Sequence, residues 1–188
     1  MINFPKRPVS RPSLSSQSGF SLVELITVIL LIGILSVVAI ARFSDSTGFA
    51  EFTYQNRLIS ALRNMQQRAM QDSRSGFCYQ INIVSGAVSP AFGPPSTNYT
   101  AGNQANTCAS NIDANTDFLA TTSTEIAEQG LTISITDNGN NNVTFIGFDG
   151  LGRPQSNISN CFAGCRVNFV GETRASVCIE SQGYVHAC

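Results

Sequence analysis

The sequence predicts an α+β protein in which one long N-terminal helix is followed by an antiparallel β domain. Three observations lead to this prediction: an apolar run near the N-terminus, an amphipathic helical pattern directly after it, and alternating apolar residues in the second half of the chain. With 188 residues, the chain is long enough for one core domain plus an anchor. We expect the helix over residues 20–74 and the β domain over residues 75–188.

The apolar run, residues 20–41, has the length and composition of a membrane-spanning helix. About 20 apolar residues are needed to cross a bilayer. The run contains a single charged residue, Glu24, and an acid inside a membrane is by default a functional residue. Lys6, Arg7 and Arg11 precede the run, so the positive-inside rule keeps that end of the chain cytoplasmic and exports the remainder.

Three interpretations of this segment compete. A plain membrane anchor explains the length but gives Glu24 no purpose. A secretory signal peptide would be cut at the small-residue site Ala39-Ile40-Ala41, but the apolar core of such peptides is usually only about 7–15 residues long. The third interpretation is a prepilin, because the stretch SGFSLVEL from Ser18 to Leu25 resembles the type IV prepilin signature. We favour this one, since it also accounts for the acid.

The resemblance to type IV prepilins implies specific site residues and partners. Residues 1–19 are a leader peptide, a prepilin peptidase cuts after Gly19, and Phe20 becomes the N-methylated first residue of the mature chain. Glu24 pairs with the N-terminal amine of a neighbouring subunit during assembly. Opposite charges attract strongly where the dielectric constant is low, and a buried charge without a partner is costly, so the pair favours one stagger between subunits. The other implied partners are further pilin or pseudopilin subunits and the inner-membrane assembly platform.

A second helical segment follows the apolar run, and one of its faces is apolar. The apolar residues that define its pattern are Phe49, Phe52, Leu58, Leu62, Met65 and Ala69. The last four follow the i, i+4, i+7, i+11 spacing of one helix face. No proline occurs between Pro12 and Pro90, so we expect one continuous helix to about Ser73, with Gly48 as a soft point.

Alternating apolar residues predict the strands of the β domain. The pattern occurs at Phe77–Ile83, Leu131–Ile135, Val143–Phe148, Val167–Phe169, Val177–Ile179 and Tyr184–Val185. The second and third of these runs flank the turn-like sequence Asp137-Asn138-Gly139-Asn140 and are expected to form a hairpin. Residues 89–130 are expected to be a long polar loop that carries subunit or ligand contacts.

Two stretches of the β domain resemble the GspH/FimT family of H-type minor pseudopilins and minor pilins. They are VTFIGFDGLGRP, from Val143 to Pro154, and VCIESQGYV, from Val177 to Val185. This resemblance implies the type IV pilin fold and a minor subunit, either of a type IV pilus or of a type II secretion pseudopilus. The richness in cysteine is more similar to minor pilins of surface pili, such as those of the mannose-sensitive haemagglutinin type.

All six cysteines lie after the apolar run: Cys78, Cys108, Cys161, Cys165, Cys178 and Cys188. An even number of cysteines downstream of an export-like segment predicts disulfides in an oxidising compartment, here the periplasm. The sequence leaves the connectivity open. Our preference is for neighbours along the chain, which gives Cys78–Cys108, Cys161–Cys165 and Cys178–Cys188.

No group of residues predicts catalysis, and we expect neither enzymatic activity nor a cofactor. His186 is the single histidine, so a Ser-His-Asp triad would have to be built on a residue near the C-terminus. The pair Cys161 and Cys165 lacks the tighter paired spacing of most zinc sites. The oxygen-rich segment 137–142 lacks the alternating acids and the closing Glu of a calcium loop. We therefore expect no metal.

Three functional hypotheses follow. The leading one is a structural minor pilin, held in the inner membrane by a single pass with its β domain in the periplasm and then built into a pilus or pseudopilus. The second is a tip subunit that binds an adhesion ligand or DNA through residues 89–130 or through Arg153, Arg166 and Arg174. From residue 20 onward the chain carries eight Arg, no Lys and twelve acids, which argues against nucleic-acid binding. The third is a soluble periplasmic protein released after Ala41.

Overall fold

The structure is a computed structural model of the chain. It describes residues 20–43, 46–72, 77–96, 98–100, 104–106, 108–116, 118–157 and 161–188. The chain divides into two compact units, Met1–Ser44 and Asp45–Cys188, and each is described by itself.

The first unit contains one helix, α1, over Leu22–Phe43. The large apolar side chains from Phe20 to Leu35 are all exposed, by 45% to 87% of their surface. Across the residues that the structure describes, no helix combines the length and the apolar character needed to cross a membrane.

The second unit begins with a 3₁₀ turn over Ser46–Phe49 that leads into α2, Ala50–Gln71. The predicted apolar face of α2 is buried: its members, Leu58, Leu62, Met65 and Ala69, belong to the hydrophobic core. Within the helix expected over 20–74, Leu22–Phe43 and Ala50–Gln71 are α-helical, and Ser46–Phe49 form a 3₁₀ turn instead. Residues 44–45 and 73–74 lie outside the described part of the chain.

Phe49 and Phe52, which the sequence grouped with the apolar residues of α2, are exposed. The buried side of the helix continues instead through Tyr54, Gln55 and Glu51. Successive residues of an α-helix are about 100° apart around its axis, so the burial of Glu51 turns its neighbour Phe52 toward solvent.

The rest of the described chain contains ten short strands and one further α-helix, joined by turns and loops. The strands are β1 Tyr79–Val84, β2 Ala91–Gly93, β3 Asn98–Thr100, β4 Gln104–Asn106, β5 Thr132–Asp137, β6 Phe145–Phe148, β7 Pro154–Gln155, β8 Cys165–Val170, β9 Arg174–Ile179 and β10 Val185–Ala187. The helix α3 spans Ser123–Ala127, and a second 3₁₀ turn spans Cys161–Ala163.

The strands form two four-stranded antiparallel sheets, in the orders β2-β1-β6-β7 and β10-β9-β8-β5, while β3 and β4 pair with each other. In the first sheet Ile81 stands opposite Ile146, and in the second Val167 stands opposite Val177. These four side chains are fully buried. Because α2 contacts strands of both sheets, it closes the core from one side. An α+β architecture is thus confirmed.

The hairpin predicted for residues 131–148 is only partly correct. The turn forms, since the backbone N–H of Asp137 donates to the carbonyl oxygen of Asn141 at 3.1 Å, and Thr136 forms a single bridge with Asn142. Beyond that bridge the strands separate, so that β5 pairs with β8 and β6 pairs with β1. The pairing of β5 with β8 and the pairing of β6 with β1 are both longer than the single bridge that joins β5 to the turn.

Residues 89–130 are more ordered than the loop that we expected. They contain β2, β3, β4 and α3, and they bury Phe92, Ala120 and Ile126 in the protein interior. Helix α3 begins with a capping box in which Thr122 and Glu125 exchange hydrogen bonds with each other's backbone N–H groups. These buried residues belong to no periodic apolar run, and this is why the sequence did not predict the segment's packing.

Candidate functional site

The N-terminal end of α1 carries the residues that the sequence predicted to be functional. Gly19 lies outside the described residues, and Phe20 is exposed. The side-chain oxygen of Ser21 accepts a hydrogen bond from the backbone N–H of Glu24 at 3.2 Å. This is the bond of an N-cap serine, so Ser21 caps the helix that begins at Leu22. Phe20 therefore lies just outside the helix.

Glu24 is in the first turn of α1, where the helix dipole favours a negative charge. The hydrogen bonds that the structure gives this residue involve its backbone: the N–H bonds with Ser21, and the carbonyl oxygen accepts from the side-chain hydroxyl of Thr27 at 2.9 Å. The carboxylate is exposed and forms no hydrogen bond or ion pair with any described residue.

The exposed apolar surface of α1 surrounds the helix on all sides. Leu25, Ile29 and Ile32 lie along one face, and Ile26 and Leu30 lie along another, yet each is more than half exposed. A helix that is apolar all round requires a lipid or protein environment to cover it.

The six cysteines form three disulfides: Cys78–Cys108, Cys161–Cys165 and Cys178–Cys188. Their Cα–Cα distances are 4.9, 5.3 and 5.8 Å, which lie within the usual range for a disulfide. These are the pairs of neighbours along the chain. All six sulfur atoms are therefore used for cross-links within the second unit.

Sequence reasoning missed one buried acid, Glu51, whose side chain is 0% exposed. Its Oε1 accepts a hydrogen bond from the backbone N–H of Thr173 at 2.7 Å, while Oε2 has no partner among the described residues. Burial alone would raise the pKa of Glu51, but hydrogen bonds from the turn between β8 and β9 outweigh it and lower the pKa below 4.5. A signal existed in the sequence, because Glu51 is seven residues before Leu58 on the same helix face.

The three arginines considered for DNA binding do not gather in one place. Arg153 forms an ion pair with Asp149 at 2.8 Å, beside the first sheet. Burial tends to raise the pKa of Asp149, but hydrogen bonds from Arg153 outweigh it and lower that pKa. In the second sheet, Arg166 stands opposite Cys178, four residues from Arg174 on β9. At roughly 3.3 Å per residue, this places Arg166 and Arg174 about 13 Å apart along the strands.

His186 belongs to a small surface cluster at the C-terminus. Its Nε2 is 3.1 Å from a carboxylate oxygen of Glu180, its Nδ1 is 2.9 Å from the carbonyl oxygen of Ala187, and its ring stacks on Tyr184. The hydrogen bond with Glu180 is the main cause that raises the pKa of His186 above 6.5. The arrangement is that of a surface ion pair.

The oxygen-rich turn at residues 137–142 uses its carboxylate internally. Oδ1 of Asp137 accepts hydrogen bonds from the backbone N–H groups of Gly139 and Asn141, at 2.9 and 2.8 Å, and Oδ2 accepts from the side chain of Asn141 at 2.9 Å. Within the described part of the chain, no group of three or more His, Cys, Asp or Glu residues is arranged to hold a metal ion.

Comparison with known proteins points to the same N-terminal segment. Residues 14–40 match the prokaryotic N-terminal methylation motif. Two curated proteins of Pseudomonas aeruginosa, each described as a fimbrial protein, are 32% identical to this chain over 89 residues, which is 47% of this chain and 50% of the relative. The chain thus spans about half the length of the curated relatives that it matches. No solved structure matches it.

Proposed function

We propose that this chain, a type IV pilin-like prepilin, is a minor subunit of a type IV pilus that is cut after Gly19 and is needed to assemble or initiate the fibre. The observation that carries the proposal is the exposed carboxylate of Glu24, which has no partner among the described residues and lies in the first turn of α1, four residues beyond Phe20. A structural subunit needs no catalytic group.

Cleavage after Gly19 by a prepilin peptidase gives the chain a new positive charge at the amine of Phe20. Because Ser21 caps the helix, this amine lies at the very end of α1 and is free to approach another subunit. In a lipid-like layer, its attraction to the Glu24 carboxylate of a neighbour is much stronger than in water. A subunit that misses this contact leaves a charge unpaired, so the pair selects one stagger between adjacent helices.

Before assembly, we propose, the subunit is anchored in the inner membrane by residues 20–41. The apolar side chains that α1 exposes on all sides support this anchoring. The basic residues before the run support an orientation that places the second unit in the periplasm. The three disulfides of that unit suit an oxidising compartment.

The descriptions of the relatives support a pilus rather than type II secretion, and the resemblance to GspH/FimT supports a minor role. The relatives in Pseudomonas aeruginosa are described as fimbrial proteins. The stretches that resemble GspH/FimT minor subunits correspond to β6 with β7 and to β9 with β10. The partners in this proposal are the prepilin peptidase, other pilin subunits and the inner-membrane assembly platform.

The assembly role of Glu24 is tested by replacing it with Gln, which keeps the shape and removes the charge. We expect at least about tenfold less of the Glu24→Gln subunit in sheared fibres, since about 1.4 kcal/mol of lost pairing is tenfold in an equilibrium. Thr27→Ser, in the same turn region, serves as the matched control and should assemble normally. Equal incorporation of the Gln variant and the control would remove the assembly role.

Processing is tested by the intact mass of the mature protein, which gives its first residue. We expect a chain that starts at N-methylated Phe20, and a Gly19→Val variant that keeps the leader. A mature chain that starts at Arg42 would show release by a signal peptidase and would overturn the pilin assignment.

A further inference from the structure

One region of the second unit is free of charge over an unusual length. No Asp, Glu, Lys, Arg or His occurs between Gly76 and Ile112, or between Asn138 and Phe148. The fold brings these two segments together, because β1 pairs with β6. An open cavity of about 590 Å³ lies where they meet. We call it the amide cavity, and its characteristic lining residues are Gln80, Asn82, Val84, Ser110, Asn142 and Phe145.

The inner wall of the amide cavity contains two buried amide side chains. Asn82 is 3% exposed, and its Nδ2 donates to the carbonyl oxygens of Ala109 and Asn111 at 2.8 and 2.7 Å. Gln80 is 6% exposed, and its Nε2 donates to Oδ1 of Asn82 at 2.7 Å. The Oε1 of Gln80 receives no hydrogen bond from any described residue. A polar atom in this position is satisfied by a donor on a ligand or by water.

The remaining described lining combines apolar surface with neutral polar groups. Val84 and Phe145 supply partly exposed apolar surface, and Ser110 and Asn142 supply an exposed hydroxyl and an exposed amide. None of the described lining residues carries a charge. The volume falls in the range of about 300–1,000 Å³ that is typical of small-molecule sites.

This chemistry selects one class of ligand. An ionic ligand would find no counter-charge in the lining, and a purely apolar ligand would leave Oε1 of Gln80 without a hydrogen-bond donor. An uncharged sugar ring can contact both the neutral polar groups and the apolar side chains of the lining. Its hydroxyl groups donate to and accept from amides and hydroxyls, and its C–H face packs against Val84 and Phe145.

The cavity is held in shape by covalent and hydrogen bonds. The Cys78–Cys108 disulfide and the two bonds from Asn82 fix residues 108–111 against β1. A wall that is already ordered loses little conformational freedom when a ligand binds. We propose that the amide cavity binds a neutral carbohydrate unit. This activity goes beyond the role in fibre assembly and does not depend on it.

The test uses the full chain, purified in a detergent whose headgroup is not a sugar. The probes are the methyl glycosides of glucose, galactose, mannose and N-acetylglucosamine, with methyl glucuronide as an anionic comparison, and binding is measured by saturation-transfer NMR. We expect transfer to at least one neutral glycoside and weaker transfer to the glucuronide. Because the protein is unassembled in this assay, the result is separate from that of the assembly test.

Two variants place the binding in the amide cavity. Val84→Asp introduces a charge at a position that is 44% exposed, and Asn142→Ala removes one exposed amide. We expect about a tenfold loss of affinity for Asn142→Ala, the equivalent of one hydrogen bond to the ligand. Val84→Asp should also weaken binding, because it removes apolar surface that packs against the C–H face of the sugar. Asn138→Ala, an exposed asparagine of the same turn but outside the cavity, should bind as the unchanged protein does.

Asn142→Ala retains the backbone bridge to Thr136, so it gives an answer even if the aspartate variant does not fold. Absence of transfer from every neutral glycoside would overturn the proposal. Binding that is undiminished in Asn142→Ala, or binding of the glucuronide in preference to the neutral glycosides, would overturn it equally.

Discussion

Gly183 lies directly against Gly152: a Cβ atom added to Gly183 would stand 2.0 Å from the carbonyl oxygen of Gly152. Both residues have positive φ angles, 89° and 77°. Gln66 of α2 joins them, because its Nε2 donates to the carbonyl oxygen of each at 2.8 Å. The turn between β6 and β7 and the turn between β9 and β10 belong to different sheets, and they meet at this helix. This contact links the two stretches that resemble minor pilin subunits.

We expect Gly183→Ala to destabilise the second unit strongly. A side chain at positive φ costs about 1–2 kcal/mol, and the clash with backbone adds to it, so the total loss should reach about 3 kcal/mol or more. Gly130→Ala is the matched control, since it also has positive φ, 66°, but no atom lies within 4 Å of its added Cβ. Denaturant unfolding measures both variants. Equal losses would show that backbone conformation alone, and not the contact with Gly152, decides the effect.

The three disulfides should contribute unequally to stability. Cys78–Cys108 spans 30 residues of chain and Cys161–Cys165 spans four. A longer closed loop removes more entropy from the unfolded chain, so the chain-entropy relation gives about 3.7 kcal/mol for the first and about 2 kcal/mol for the second. Replacing each pair with two alanines and comparing the free energies of unfolding checks the order. A larger loss from the short loop would contradict it.

The buried carboxylate of Glu51 predicts that the stability of the fold falls at acidic pH. Its folded-state pKa is lowered, so the folded chain binds fewer protons than the unfolded chain near pH 4.5. The stabilisation is therefore complete above pH 4.5 and is lost as the pH falls through the lower, folded-state pKa. Unfolding of the unchanged protein and of Glu51→Gln is measured at several pH values, and the difference between them should shrink on acidification. Asp149 is present in both proteins, so its contribution to the pH dependence cancels in the difference. A difference that does not change with pH would contradict the prediction.

The pair of His186 and Glu180 predicts a pH dependence of stability opposite to that of Glu51. The pKa of the histidine is raised, so the pair stabilises the fold fully below pH 6.5, and this contribution is lost as the pH rises through the folded-state pKa. In an NMR titration we expect the midpoint of His186 above 6.5. Glu180→Gln should move it down toward that value, whereas Glu172→Gln, at an exposed acid with no bond to this histidine, should leave it unchanged. A midpoint unaffected by the Glu180 substitution would contradict the assignment.

Local patterns in the sequence predicted local features of the structure. The spacing of Leu58, Leu62, Met65 and Ala69 predicted the buried face of α2, and the alternating residues near Val167 and Val177 predicted β8 and β9. The sequence did not predict the packing of Phe92 and Ile126, because Phe92 lies between prolines and Ile126 lies among polar residues, so neither belongs to a periodic apolar run. It also predicted a hairpin for β5 and β6, since the turn at Asp137 is a good hairpin turn by itself.

The sequence by itself determined the N-terminal signature, the apolar run behind it and the helical and strand periods. These features depend only on residues that are close together along the chain. The tertiary structure decided which strands pair, why Glu51 can be buried beside Thr173, and how Gln80 and Asn82 come to line a cavity. Such choices depend on the burial of residues that are far apart in sequence, and a local period contains no information about a distant partner.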